Sequence, residues 1–362
     1  MTSRERVFKA VIHEQPDRPP IFATLTPQAA KKLSSHFNLP YEEPLDSLLS
    51  TRISHMEILT FLGNDFVGVA ACAPNEFPTK KMDNGISLNE WGMKFIDTGL
   101  YFEFHEYPLA NANSIYDIKK YNFPDPFAEG RFDSAITNIS KYKDDFIIVA
   151  DLETSFFETS WYLVGLEKLL LDLMLEEKYI FELFDKVLEI NTEIGKKLIE
   201  LGADIIWAGD DFGSQSGMLI DPNMWRKIFK PRIKIMFQEF KKVNPNIKIA
   251  WHSCGSIIPI IEDFIEIGLD ILNPIQPLAK GMKPNFLKSN YGDRLTFFGG
   301  IDIQQLLPNG TVEEIELEIK NRIQILGKNG GYIIAPSHNI QNDTSIENIL
   351  AFFKTALNPY NH

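Results

Sequence analysis

The feature that most constrains this chain's fold is a rhythm. Eight short β-rich runs recur along the 362 residues, most of them separated by stretches with helical signals. The runs are residues 19–25, 65–70, 146–152, 204–209, 247–252, 270–275, 295–300 and 331–335. Most are nearly continuous in apolar character, as in Ile147-Ile148-Val149-Ala150 and Ile333-Ile334-Ala335. Strands buried on both faces read this way, because helices cover a parallel sheet. Strand, helix, strand repeated to eight strands predicts an α/β fold, a single (β/α)8 TIM barrel spanning residues 1–362. An open doubly wound sheet is the alternative, but no Gly-x-Gly-x-x-Gly turn follows the first run.

The intervening helices carry end signals. Thr2 with Glu5, Thr311 with Glu314 and Thr344 with Glu347 have capping-box spacing. Asp221-Pro222 reads as a cap followed by proline in the first turn. Ile257, Ile258, Ile261, Phe264 and Ile265 have helical spacing, and Gly268 ends that helix. One stretch breaks the rhythm. Residues 86–108 alternate like a β-hairpin, which places a hairpin insertion between the second and third strands, as a lid or a contact surface.

Composition narrows the partners. A net charge of −13 argues against nonspecific binding of nucleic acid or anionic membranes. No apolar run approaches the ~20 residues that span a bilayer. Two cysteines, Cys72 and Cys254, cannot form a disulfide framework. Without a signal peptide, a reducing cytoplasm is the expected location.

In a barrel the chemistry gathers at the C-terminal ends of the strands. Here those ends are polar: Asp151 and Glu153 with Glu158 beyond, Asp210-Asp211, His252-Ser253-Cys254, Asn273 and Gln276, Asp302, and Ser337-His338-Asn339. Alternate residues of a strand face the same way, so His252 and Cys254 form half of a zinc site. His338 from another strand end adds a third nitrogen or sulfur ligand and leaves a fourth position open, the pattern of a catalytic zinc. Each also has a bland reading. Cys254 could be a small buried hydrophobe, and Asp210, Asp211 and Asp302 could cap helices. Cys72 and Trp207 read as packing residues, and His105 as a surface residue. No role is assigned to His13 or His36.

With these residues the chain resembles the uroporphyrinogen decarboxylase superfamily, which includes the decarboxylase and zinc-dependent, corrinoid-linked methyltransferases. The resemblance runs from Thr2-Ser3-Arg4-Glu5-Arg6-Val7 and Pro16-Asp17-Arg18-Pro19-Pro20 through Gly202-Ala203-Asp204, Gly209-Asp210-Asp211 and His252-Ser253-Cys254-Gly255. It continues through Gly299-Gly300-Ile301-Asp302 and Ala335-Pro336-Ser337-His338-Asn339 to Glu347-Asn348. True decarboxylases carry an arginine-rich Met-Arg-Gln-Ala-Gly-Arg segment after the first strand. Here that place reads Phe22-Ala23-Thr24-Leu25-Thr26-Pro27, and Asp65 takes the place of the aspartate that holds the pyrrole nitrogens.

The methyltransferase branch is the nearer match. Its members bind zinc through a His-x-Cys pair, matched by His252 and Cys254, and a later cysteine, where this chain has His338. An acidic ligand of some members falls near Gln276. The resemblance thus implies zinc on His252, Cys254 and His338, and a corrinoid carried by a partner protein. Asp210, Asp211 and Asp302 would serve as catalytic groups. Glu158, Trp161, Gln276 and Asn273 would contact a small-molecule substrate. A homodimer is a further expectation. The alternatives are a metal-free decarboxylase or lyase and a non-catalytic barrel that binds a ligand or a corrinoid protein.

Overall fold

The computed structural model describes residues 1–48, 50–82, 85–97, 102–152 and 154–360. Strand β1 (Phe66–Val69) is followed by a separate antiparallel sheet of β2 (Lys80–Lys81), β3 (Ile86–Leu88), β4 (Lys94–Asp97) and β5 (Phe102–Glu106). The chain then returns to β1 and adds β6 (Ile147–Asp151), β7 (Ile205–Gly209), β8 (Lys248–His252), β9 (Ile271–Ile275), β10 (Thr296–Ile301) and β11 (Tyr332–Pro336). These form a seven-stranded parallel sheet in the order β1-β6-β7-β8-β9-β10-β11. Sequential order in space with parallel pairing requires a crossover between neighbours. The long helices Lys178–Leu201 and Pro222–Val243 supply two of them.

Two expectations are corrected. Residues 19–25 form no regular strand; they make single parallel bridges, Ile21 to Ile334 and Leu25 to Ile340. Pro19 and Pro20 have no N–H to give a ladder. On the β1 side, side chains replace much of it. Asp65 accepts from the Ile21 N–H at 2.8 Å, and Asn64 exchanges two bonds with the Ala23 main chain. The insertion is also larger than the predicted hairpin. It is a four-stranded sheet that begins at Lys80, where two exposed lysines offer no apolar alternation to read. Residues 98–101 of the predicted hairpin lie outside the described residues.

One face of the parallel sheet builds its own apolar cluster. Phe22 lies edge-on to Phe66, Trp207 and Phe298, with ring centroids 5.6, 5.5 and 5.0 Å away. Such geometry adds roughly 0.5–1.5 kcal/mol per pair beyond the area buried. The first helix, Ser3–Val11, contributes Val7 and Val11 to the same cluster. Its Thr2–Glu5 capping box forms, as does that of Thr311 and Glu314. The third expected box does not form, because the last helix starts one residue later and Ser345 caps it through Asn348.

The acids that precede the strands have a different task from those that follow them. Asp65, Asp204 and Asp270 each accept an N–H near the start of a neighbouring strand or segment, those of Ile21, Ile148 and Ile249. Each also meets cations. Arg6 and Arg18 bind Asp65, Arg4 binds Asp204 with two bonds of 2.8 Å, and Lys241 and Lys248 bind Asp270. The N-terminal segments that carry part of the resemblance thus clasp the start of the sheet. Asp65 is committed there, at the opposite end from the His252 ends of the strands, and cannot hold a substrate among them.

Candidate metal centre

The centre is built on adjacent strands. β7 and β8 pair in register, with Gly209 opposite His252. A Cβ on Gly209 would lie 2.5 Å from the Cβ of His252, so a side chain there would displace the histidine. On the other side His252 is in register with Asn273 of β9. The His252 Nδ1 lies 2.6 Å from the Asn273 Oδ1, and the Asn273 Nδ2 faces the Phe298 carbonyl. An amide oxygen can only accept, so Nδ1 carries the proton and Nε2 presents a lone pair. Burial, reinforced by the Arg52 charge, lowers the His252 pKa to about 3 and keeps the ring neutral.

Nε2 faces two further donors. The Cys254 Sγ is 3.4 Å away and the Asp211 Oδ1 3.5 Å away. The Asp211 carboxylate is held by the Cys254 N–H at 2.7 Å. The ligand atoms of Asp211, His252 and Cys254 all lie within 4.8 Å of one another. Tetrahedral zinc, with bonds of about 2.3 Å to sulfur and about 2.0–2.1 Å to nitrogen and oxygen, needs N···S near 3.6 Å and N···O near 3.4 Å. The observed spacings are close to these, and the outer-shell bond from Nδ1 is the usual support of a metal-binding imidazole. Burial first, then the charges of Asp211 and Glu158, push the Cys254 thiol well above its ordinary value. A free thiol at this place is therefore neutral, and a dication is the group that would draw the thiolate out.

His338 stands beside this trio rather than within it. Its ring is 6.4 Å from that of His252, and it lines a cleft with Gln276, Asp302, Gln304 and Ser337. Its Nδ1 is buried and has no hydrogen-bond partner among the described residues, and burial lowers its pKa to about 4. Asp211, rather than His338, is the third ligand-capable side chain within reach of the pair. The acid comes from the strand next to β8, so it reaches the pair directly.

Asp210 has a different job. It is fully buried and accepts from the Phe156 and Phe157 N–H groups at 3.3 and 3.2 Å, the Glu158 N–H at 2.9 Å and the Ser155 hydroxyl. Its carboxylate therefore seats the start of helix Phe157–Val164, the helix before β7 rather than the one after. Burial still raises its pKa to about 6. Glu158, in the first turn of that helix, accepts the Asp211 N–H and the Tyr162 hydroxyl, both at 3.1 Å. Burial and the charges of Asp211 and Asp210 hold its pKa well above the usual carboxylate range.

The other predicted residues are also placed. Gln276 accepts the Gly255 N–H at 2.7 Å and fixes the turn after Cys254. Asp302 accepts the N–H groups of Gln304, Gln305 and Leu306, so it holds the turn that leads into the short helix Leu306–Asn309 while facing the cleft. Trp161 is half-buried against Phe104 of the inserted sheet. Glu153 lies outside the described residues. Cys72 meets the Ser134 hydroxyl at 3.1 Å, and His105 is exposed.

Sequence reasoning missed Arg52. It comes from a one-turn helix, Ser50–Arg52, and its guanidinium lies 4.7 Å over the Trp207 ring with Nε 3.3 Å from Asp151. It is 12% exposed and brings a fixed positive charge to His252, Cys254, Asp211 and His338. Its backbone crosses so close to β1 that a Cβ on Gly68 would lie 2.4 Å from the Arg52 carbonyl oxygen. The available signal was that it is the single arginine between Pro27 and Asn64.

Comparison with known proteins agrees with this architecture. Residues 95–358 match the family model described as uroporphyrinogen decarboxylase (URO-D). A uroporphyrinogen decarboxylase of Trichodesmium erythraeum is 25% identical over 181 residues, 50% of this chain and 48% of its own length. A methylated-thiol–coenzyme M methyltransferase of Methanosarcina mazei is 22% identical over 220 residues, 61% of this chain and 56% of its own length. The matched portions thus span about half the length of these relatives. Among solved structures, a methyltransferase from Methanosarcina mazei superposes over 100% of both chains with a TM-score of 0.73 at 18% identity, which shows a shared fold. Among the described residues, no helix is long and apolar enough to cross a membrane. With 264 of its 362 residues matched to the model, the chain belongs to the uroporphyrinogen decarboxylase family.

Proposed function

We propose that this chain is a zinc-dependent methyltransferase that moves a methyl group between a small substrate and a corrinoid held by a partner protein. The observation that carries the reading is the Asp211–His252–Cys254 trio, with His252 oriented by Asn273. We read the seven-stranded sheet, with residues 19–25 bridging its edge strands, as a (β/α)8 barrel whose mouth holds this trio. The methyltransferase relatives in Methanosarcina mazei favour the same branch. A decarboxylase acting on a highly anionic tetrapyrrole fits less well. Residues 22–27 supply no arginine, and Asp65 is locked at the other end of the strands.

In this reading His252, Cys254 and Asp211 would hold zinc. When bound, zinc would supply Lewis acidity that lowers the pKa of a substrate thiol, so that thiolate exists near neutral pH. The chain's own residues prepare that place. Asn273 fixes the histidine tautomer, and the Cys254 N–H fixes the Asp211 carboxylate. Arg52 offsets the negative charge that Cys254 and Asp211 would gather. His338, neutral and facing the cleft beside the trio, is placed to contact the substrate or to complete the ligand set.

The test is metal content by elemental mass spectrometry of the full chain purified without chelator, beside Cys254→Ala. About one zinc per chain, lost in the variant, supports the reading. Methyl transfer is then sought between free methylcobalamin and small thiols. A wild-type chain that takes up no metal even after zinc is added sinks the metal centre and moves a metal-free decarboxylase or lyase to first place.

A further inference from the structure

The inserted sheet has no counterpart in a bare alternation of strands and helices, and the proposed metal chemistry gives it no task. Its contacts suggest one. Phe104 of β5 stacks on Tyr162 with ring centroids 4.4 Å apart and an interplanar angle of 24°, and packs edge-on to Trp161 at 5.6 Å. Just past β5, the Leu109 N–H donates to the Leu163 carbonyl at 2.8 Å. The sheet therefore lies along helix Phe157–Val164. The Tyr162 hydroxyl donates to Glu158 Oε1 at 3.1 Å, and Glu158 Oε2 accepts the Asp211 N–H at 3.1 Å. Asp211 in turn offers its carboxylate to the trio.

We propose that the inserted sheet positions the metal-ligating carboxylate of Asp211, through Phe104, Tyr162 and Glu158. The inference rests on the metal reading above and assigns Phe104 and Tyr162 as positioning residues. The physical reason is rigidity. The main chain at Asp211 follows the end of β7, where the ladder stops, so its N–H needs a partner outside the sheet. Glu158 is that partner. One of its oxygens is tied to Tyr162, and the tyrosine ring rests against Phe104. Asp210 holds the start of the same helix, so the helix cannot turn to compensate. Removing the stacking partner frees the tyrosine, then the glutamate, then the acid that must meet a metal at a defined distance. A partner that touches a ligand directly typically changes metal affinity 10–100-fold when removed; Glu158 is that partner, and because Tyr162 and Phe104 act through it, the low end of that range is expected of them.

The test is cobalt(II) titration of the full chain, read as affinity and as the visible absorption band of the thiolate-ligated ion. Phe104→Ala and Tyr162→Phe should each weaken cobalt at least ~10-fold and shift the band. The double variant should be no weaker than the worse single, because both act through one chain of contacts. Phe104→Tyr, which keeps the ring, should bind cobalt within about threefold of wild type, judged against that ~10-fold loss. Lys94→Ala breaks an exposed pair with Glu106 in the same sheet and should change nothing. Wild-type affinity and an unshifted band in Phe104→Ala would overturn the inference while leaving the metal centre standing. Additive losses in the double variant would also overturn it. A wild-type chain that binds no cobalt would overturn the metal reading and this inference with it.

Discussion

Consider the removal of Arg131. This arginine is 4% exposed at its side chain and grips Glu90, itself 12% exposed, through two bonds of 2.6 and 2.5 Å. Its Nε also donates to the Asp125 carbonyl, and Nη1 to the Cys72 carbonyl, both at 3.1 Å. One side chain thus ties the loop after β1, the turn between β3 and β4, and the loop before helix Asp133–Tyr142. Arg131→Met leaves Glu90 as a buried charge without its partner. Breaking a buried pair from one side costs about 3–5 kcal/mol, and two carbonyls also lose a donor at roughly 0.5–1.5 kcal/mol each. We take about 4 kcal/mol as the expected loss, since these contributions overlap. Adding Glu90→Leu removes the stranded charge and should recover at least half of that loss, about 2 kcal/mol or more. Urea unfolding at pH 7, followed by far-UV circular dichroism, reads both variants. Two outcomes would refute the reasoning. One is a single variant within about 1 kcal/mol of wild type, which would mean that the pair contributes as little as a surface pair. The other is a double variant no more stable than the single, which would mean that the stranded charge is not the origin of the loss.

Two further outcomes follow from the site. Asn273→Ala removes the acceptor that fixes His252, and zinc affinity measured by chelator competition should fall 10–100-fold, beside a stability cost of roughly 1–3 kcal/mol for the stranded Nδ1–H; unchanged affinity would show that the tautomer needs no such support. The two buried histidines of the site each lower stability in acid. Their folded pKa values, about 3 for His252 and about 4 for His338, lie below the ordinary 6.5, so below pH 6.5 the unfolded chain takes up protons that the folded chain refuses. Stability is therefore lost as pH falls from 6.5 towards 4, by up to about 2.6 kcal/mol per histidine at pH 4.5. In metal-free protein His338→Gln should lose about 2.6 kcal/mol less stability over that window than wild type, a difference from which the other titrating groups, Asp210, Glu158 and His55 among them, cancel; equal losses would contradict the acid sensitivity assigned to this ring.

The alternation of apolar runs and capped helices was enough to place seven parallel strands close to where they lie, because burial on both faces leaves a direct mark on composition. The same reading put His252 and Cys254 on one face at a strand end, since side-chain alternation is a property of the strand itself. Residues 19–25 were harder. Their apolar character predicts a strand, yet two prolines and the side chains of Asn64 and Asp65 take over part of the ladder. The four strands of the insertion were legible only in part, because β2 is two exposed lysines.

What tertiary structure alone decided is which polar groups meet. Asp210 and Asp211 are adjacent in sequence, and alternation says only that they point opposite ways, not which of them meets His252. The assembled fold sends the first to the start of helix Phe157–Val164 and the second to His252 and Cys254. Asp65 and Asp151 both border apolar runs, but one precedes its strand and the other ends it, and in parallel strands that difference is the full length of the sheet. Arg52 belongs to no motif. It reaches the site because Gly68 lets its backbone cross β1 closely, and close approach of segments distant in sequence is a property that residue order does not express. By itself, the sequence determined the seven parallel strands, most of the helix ends and the ligand-capable residue types. The distances among those residues depend on register between strands and on loops folding back, and only the assembled chain defines them.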